Sequence, residues 1–529
     1  MSSASLISQH SFAIAPHPKL PRAIFNRTFT HKTTCNAGML IPFLIDEIYP
    51  GDTFKLRSTF LARMSTPIYP VMDNLFIDTQ FFFIPNRLLW THWEQFMGYQ
   101  ENPGDSIDYT LPTITSPTGG YLEQTIYDYL GLPTKIAGVT HQALPLRAYN
   151  KVYNDWYRDQ NLQDSVVLPN GDGPDAPTDY VLLPRGKRHD YFTSALPTPQ
   201  KGAAVQLPLG TTAPILSNNT QVNFSDEAMT SPDHGLYGQE GTNLLVLGGS
   251  AFGATEPLIF GNNTGLYADL SSATSATIND LRLSIATQQY LERDMRSGTR
   301  YTEVLLGHWG IAAQDARLQR SEYLGGGSTQ INFHPVAQTA PSDASGSGEE
   351  SSPQGTLSAF ATAVGYDHGF TKSFPEHGFI LGLMSIRADY TYQQGAERFW
   401  FRKARFDLYT PEFANLGEQA VLNQEIYAQG TSADQEPFGY QEAWAELRYK
   451  PSRISGYFRS NATGTLDAWH LSQEFTSPPT LSPAFIIENP PMARVEAVSD
   501  VCDFIVDSNN KFHCIRQIGM YSVPGLYRL

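Results

Sequence analysis

TFKLRSTFLARM, residues Thr53–Met64, decides the fold class. Phe54, Leu56, Phe60, Ala62 and Met64 alternate there with Lys55, Arg57, Thr59 and Arg63, the period of a β-strand that buries one face and wets the other. Working outward, residues 75–84 predict a second strand and residues 379–392 a third, in which Ile380, Met384, Ile386, Ala388 and Tyr390 share a face. Towards the C-terminus, residues 492–506 and 511–520 flank the polar run Asp507-Ser508-Asn509-Asn510, which predicts a hairpin. Helical spacings interrupt the strands at Leu89, Trp93, Phe96 and Met97, and again at Tyr149, Val152, Tyr153 and Trp156. A third helix is predicted from an Asn279 cap through Leu283, Ala286, Tyr290 and Leu291 to a stop at Gly298. Such stripes are the ordinary mark of amphipathic burial, so we read them as packing. Strands separated by long loops with occasional helices predict a mainly β sandwich or barrel with large insertions, and exclude alternating βαβ units.

Composition narrows the function. The 529 residues are 41% hydrophobic, 12% aromatic and 17% charged, enough apolar material for a large core. Lys and Arg number 36 against 52 Asp and Glu, a formal charge of −16, which excludes a protein that coats nucleic acid unaided. Three cysteines, Cys35, Cys502 and Cys514, are too few for a disulfide scaffold. The N-terminus reads poorly as a secretory signal and no apolar run is long enough to span a bilayer, so membrane insertion is not expected.

Charge is unevenly distributed. No acidic residue precedes Asp46, while Lys19, Arg22, Arg27 and Lys32 do; residues 1–49 are therefore expected to form a basic, extended arm that packs on a neighbour or touches nucleic acid. Between Lys201 and Arg282 there is no Lys or Arg, and Asp226, Glu227, Asp233, Glu240, Glu256, Asp269 and Asp280 are all acidic. With its many Gly, Asn, Ser and Thr residues, segment 202–281 reads as one exposed insertion, or as a small β domain using residues 244–247 and 257–260 as strands. Segments 50–201 and 282–529 then hold the two parts of the core.

Motifs for chemistry are missing. The sequence has no GxxxxGK followed by Ser or Thr, no GxGxxG, no HExxH and no GxSxG. Gly325-Gly326-Gly327 has no following lysine and reads as a flexible turn. Cys502, His513 and Cys514 would be neighbours across the predicted hairpin, a weak invitation to a metal; buried, structural thiols are the preferred reading. No enzyme, cofactor or metal is expected. A carbohydrate-binding β-sandwich and a glycoside hydrolase are the competing classes.

Several long segments resemble one known family. Pro50-Gly51-Asp52-Thr53-Phe54, FFFIPNRLLW (81–90), LPLRAYNKVYNDWYRDQNL (144–162), DYFTSALPTPQKG (190–202), RSGTRYTEVLLGHWG (296–310), DARLQRSEYLGGG (315–327) and FGYQEAWAELRYKPSRISG (438–456) are similar to the major capsid protein of microviruses, in the gokushovirus branch. The resemblance implies an eight-stranded antiparallel viral jelly roll with long loop insertions and a few short helices. It implies sixty copies in a T=1 icosahedral shell around circular single-stranded DNA, assembled in the host cytoplasm with a scaffolding protein. It also implies a small basic internal DNA-binding protein, and a protrusion, similar in place and composition to segment 202–281, that meets a host cell-surface receptor. On this reading two clusters are candidates to contact phosphates or stacked bases, or to pair between subunits: Arg185-Gly186-Lys187-Arg188-His189, and Arg398 with Arg402, Lys403 and Arg405.

Overall fold

The computed structural model describes residues 21–203, 205, 307, 319–340, 353–498 and 502–521, with the helix Ile278–Ser297 and short strands between residues 215 and 268. Nine strands build one antiparallel sheet: β1 (Ala23–Asn26), β2 (Phe29–Cys35), β3 (Ile41–Ile48), β4 (Thr53–Met64), β5 (Leu75–Pro85), β6 (Glu322–Ala337), β7 (Leu357–Ser373), β8 (Gly378–Ala388) and β9 (Phe504–Arg516). Strands β1 and β2 lie end to end along β9 and act as one interrupted edge strand. The spatial order is therefore β1/β2, β9, β4, β7, β6, β5, β8, β3, that of an eight-stranded jelly roll curled on itself. Strand β6 joins its halves: residues 322–331 pair with β5 and residues 332–337 with β7.

An aromatic-rich core fills the curl, including Phe54, Phe60, Phe81, Phe83, Phe374, Phe504 and Phe512. Phe54 stacks on Phe512 with ring centres 5.0 Å apart, and Phe83 meets Phe374 at 4.8 Å. Each buried ring contributes roughly 1.5–3 kcal/mol by leaving water. The two halves bury their strands differently. Strand β4 alternates buried and exposed residues throughout, because its second face is open. Strands β5 and β8 are buried almost continuously, because Phe82, Ile84, Phe379, Leu381 and Leu383 on their second face meet a further apolar layer. That layer includes Leu144, Ala148, Tyr149 and Val152 of α1 (Leu144–Val152). A strand covered on both sides reads as an unbroken apolar run, which is what FFFI and FILGL are.

Four sequence expectations are corrected. The predicted hairpin at residues 507–510 is the middle of the continuous strand β9. Its turn-forming residues are accommodated because Asn510 and Ser508 point inward and are satisfied there: Ser58 Oγ donates to Asn510 Oδ1 at 2.6 Å and Asn510 Nδ2 to Ser508 Oγ at 3.1 Å. Gly325-Gly326-Gly327 is no turn but part of β6, opposite Thr79, Gln80 and Phe81 of β5. Residues 23–48, expected within the basic arm, supply β1, β2 and β3. Cys514 is buried in the core, while Cys502 precedes β9 and accepts from Gln124 Nε2. No group of three metal-ligating residues occurs among the described residues.

The first aromatic stripe yields only the single turn Trp93–Phe96, with Met97 exposed. The second is α1 continued by one π-turn, Tyr153–Tyr157. Residues 200–298 with 307–309 form a second compact unit. Within it, strands run in the order Leu245–Leu247, His234–Gly238, Asn223–Ser225, Ile259–Phe260; Leu266–Ala268 pairs with Ile215–Ser217, and α2 (Ile278–Ser297) covers the predicted helix.

Candidate functional site

Segment 398–405 lies in the long connection between β8 and β9, in two 3-10 turns, Arg398–Phe401 and Arg405–Asp407. The four cations predicted there divide by role. Arg398 Nη1 donates to Ala420 O at 2.6 Å and to Glu425 Oε1 at 3.1 Å, and Tyr191 Oη donates to the other oxygen of Glu425. Burial raises the Glu425 carboxyl above its usual range, against the backbone N–H of Leu422 and the Arg398 charge. Arg402 Nη2 donates to Glu446 Oε1 at 2.8 Å and its guanidinium lies 5.9 Å from the centre of the Trp444 ring. These two arginines hold the loop together. Lys403 and Arg405 are exposed, and so are Phe399, Trp400, Phe406 and Tyr409. Below them is a cavity of about 260 Å³ whose walls include Tyr191, Tyr392, Arg398, Trp400, Arg402 and Arg459.

Arg185 and Lys187 of the 185–189 cluster are buried, Arg188 is half-buried and His189 is exposed. Asp78 of β5 receives Arg185 Nη1 at 3.1 Å and Arg387 Nη2 at 2.7 Å. Burial works against its charge, yet the Ser328 hydroxyl and these guanidiniums hold the Asp78 carboxyl below the ordinary range. Lys187 Nζ lies over the rings of Phe485, at 4.4 Å, and Tyr390, at 5.1 Å; burial pushes it down to about 8. Arg188 reaches Asp389 at 3.1 Å and lies over Phe76. Sequence reading offered this run for phosphate contacts or for pairing between subunits; Arg185, Lys187 and Arg188 instead cross-link β5, the end of β8 and segment 485–488.

Glu488 belongs to the same network. Its Oε1 accepts the Ala388 N–H at 2.8 Å, and burial pushes its carboxyl up to about 7. The folded chain thus binds a proton at Glu488 that the unfolded chain releases above about pH 4.5. Folding stability from this group is greatest at low pH and falls as pH rises towards 7, by about 3 kcal/mol in all. Glu488→Gln should flatten the decline, read as the unfolding midpoint of the full chain at pH 5 and pH 8; an unchanged difference between the two would disprove the assignment.

Of the arm candidates, Arg27 is bound to Asp46 by two contacts, at 2.5 and 3.0 Å, and lies 5.7 Å from the Phe512 ring centre. Arg22 donates to Gly51 O, and Lys32 stands exposed on β2. Lys19, and the insertion candidates Asp226, Glu227, Asp233, Glu240, Glu256 and Asp269, lie outside the described residues.

Sequence reading missed the best-built polar site. Arg147 of α1 is fully buried; Nε and Nη2 donate to the two oxygens of Asp175 at 2.8 and 2.6 Å, while Nη1 and Nη2 also reach Leu89 O and Gly171 O. The geometry holds a fold together and lacks any open position for a reacting group. The signal was an arginine on a helix whose other residues are nearly all buried. No helix among the described residues is long and apolar enough to cross a membrane.

Comparison with known proteins points the same way. Residues 15–526 match the family described as Capsid protein (F protein). A protein named Capsid protein VP1 from Bdellovibrio phage phiMH2K is 46% identical over 98% of this chain and 98% of its own length. Proteins of the same name from Chlamydia phage 1 and Spiroplasma virus 4 are 43% and 37% identical, over 99% and 98% of this chain and 98% of each relative.

Proposed function

The chain belongs to the phage capsid (F protein) family, and from that premise we propose that sixty copies close a T=1 icosahedral shell around circular single-stranded DNA. Its role is structural and its place is the virion; the hydrolase and free sugar-binding readings fall with that membership. The observation that carries the reading is a jelly roll matched over nearly its whole length to capsid proteins, whose β8–β9 connection exposes aromatics that its own core does not use. Trp400 is 67% exposed and Phe406 71%; large exposed aromatics are the usual material of obligate interfaces. Heterologous contacts of this kind close around symmetry axes.

Packaging needs help from elsewhere. Sixty copies at −16 each carry −960 formal charges, a field that repels DNA in bulk. A small basic internal protein supplies the balance, and a scaffolding protein guides assembly in the host cytoplasm. The acidic segment 202–281 faces outward as the host-attachment protrusion. Lys403 and Arg405 are the interior cations of the 398–405 segment. Lys403→Gln with Arg405→Gln should lower packaged DNA while shells still form, read as the ratio of full to empty particles on a density gradient; a normal ratio removes the segment from packaging.

Electron microscopy of nuclease-treated material from infected cells tests the whole reading. Uniform icosahedral particles with knobs on the threefold axes are expected. Monomers or small oligomers, in material never exposed to denaturant, would overturn it.

A further inference from the structure

Among the described residues, one half of the jelly roll is covered by its own chain and the other is bare. The second face of β5 and β8 lies under the layer that contains α1; the second face of β1/β2, β9, β4 and β7 is exposed at every other residue. On a chain of −16 that bare face is basic. Lys55, Arg57 and Arg63 of β4, Lys511 of β9 and Lys32 of β2 point out from it, against Asp507 and Asp367.

Register brings like charges together. Arg57 stands directly opposite Lys511, while Lys32 stands opposite Asp507. A like-charge pair such as Arg57 and Lys511 destabilises a sheet, and the carboxylate beside it is distant and solvated. Arg57 is 3.8 Å from Asp367, both widely exposed. Among the described residues Lys55, Arg63, Lys511 and Lys32 have no carboxylate within ion-pair distance. Rings lie among the cations. Tyr366 is 72% exposed at the β7 bulge, and Phe360 stacks on His334 with centres 4.9 Å apart. Unpaired cations with exposed rings on one open surface form a phosphate-binding and base-stacking platform.

Building on the capsid reading, we propose that this face is the shell's own contact with single-stranded DNA, with Lys55, Arg57, Arg63 and Lys511 holding phosphates and Tyr366 stacking on a base. The partner is a polyanion with stackable rings, and a basic internal protein would be repelled by the same residues.

The test uses the full chain carrying Lys55→Gln, Arg57→Gln, Arg63→Gln and Lys511→Gln, all at exposed positions. Binding of a fluorescent oligothymidylate is followed by anisotropy across a salt series. Losing four phosphate contacts should weaken binding at least tenfold at low salt and make the slope of log K against log salt shallower by about 3. Tyr366→Ala should weaken binding about tenfold with the slope unchanged. Unchanged affinity and slope in the fourfold variant, or no binding by the unsubstituted chain, would overturn the proposal. So would a fourfold variant that binds DNA normally but fails to form particles, which would make the face a seat for a second copy. Normal dependence on the four cations in a chain that never forms particles would uphold the platform and sink the shell.

Discussion

Arg147→Ala should abolish particle recovery. The substitution leaves the Asp175 carboxylate, 1% exposed, without its cation, and strips the buried Leu89 carbonyl and the Gly171 carbonyl of their donor. Removing one partner of a buried ion pair costs about 3–5 kcal/mol, and orphaned carbonyls add to it. That is a large part of the stability of an ordinary domain. Arg147 ties α1 to the segments around residues 89 and 171–175, so the layer over β5 and β8 loosens first and exposes Phe82, Leu381 and Leu383. Urea unfolding of the soluble chain, followed by tryptophan fluorescence, measures the loss. The pair Arg147→Met with Asp175→Leu should recover the part of the loss that comes from the unpaired charge, since apolar residues of similar volume commonly replace buried ion pairs at little cost, and leave the part that comes from Leu89 O, Gly171 O and the Tyr180 hydroxyl. Equal destabilisation of single and double variants would show that the charges are not the source.

Gly326→Val is expected to be as severe for a different reason. A Cβ at residue 326 would sit 2.1 Å from Thr79 O, and at residue 327 2.5 Å from the His368 ring. At residue 325, where φ is +155°, it would meet Gly369 O at 2.7 Å. The three glycines therefore let β6 press against β5 and β7 where the two halves meet. Backbone oxygens in a ladder cannot retreat without breaking it, so the cost reaches about 3–4 kcal/mol, the upper end for overpacking. Insoluble or protease-sensitive protein is the expected result. A folded Gly326→Val chain with unchanged unfolding midpoint would mean that β6 and β5 can move apart freely.

The same residues explain what could be read from sequence. Strand β4 was legible to the residue because one of its faces is wet, and alternation survives only under that condition. The runs at β5 and β8 were legible as strands, but their continuous apolarity did not say what covered the second face. Strand β9 was misread because Ser508 and Asn510 carry turn propensity on their side chains and lose it only when Ser58, from a distant segment, satisfies them inside. The glycines of β6 were misread for the matching reason: closeness to Thr79 and His368 is tertiary. Strand order itself became visible through the resemblance, not through periodicity. For the sites, Lys55, Arg57 and Arg63 were read as a solvent face, and what gives them meaning, Lys511 across the ladder, depends on register. Arg398 and Arg402 looked like Lys403 and Arg405 in sequence because Glu425 and Glu446 lie tens of residues away.

Strands β5 and β6 are antiparallel neighbours, with Phe83 opposite Glu322. Everything from residue 86 to residue 321 thus leaves and returns at adjacent rungs. Closing a loop costs only about 0.6 kcal/mol more for each doubling of its length, so material can be gained or lost within that excursion, outside the layer that covers β5 and β8, while the barrel's register is untouched. An engineer could insert a foreign domain within that excursion, beyond the covering layer, and leave the ladder as it is.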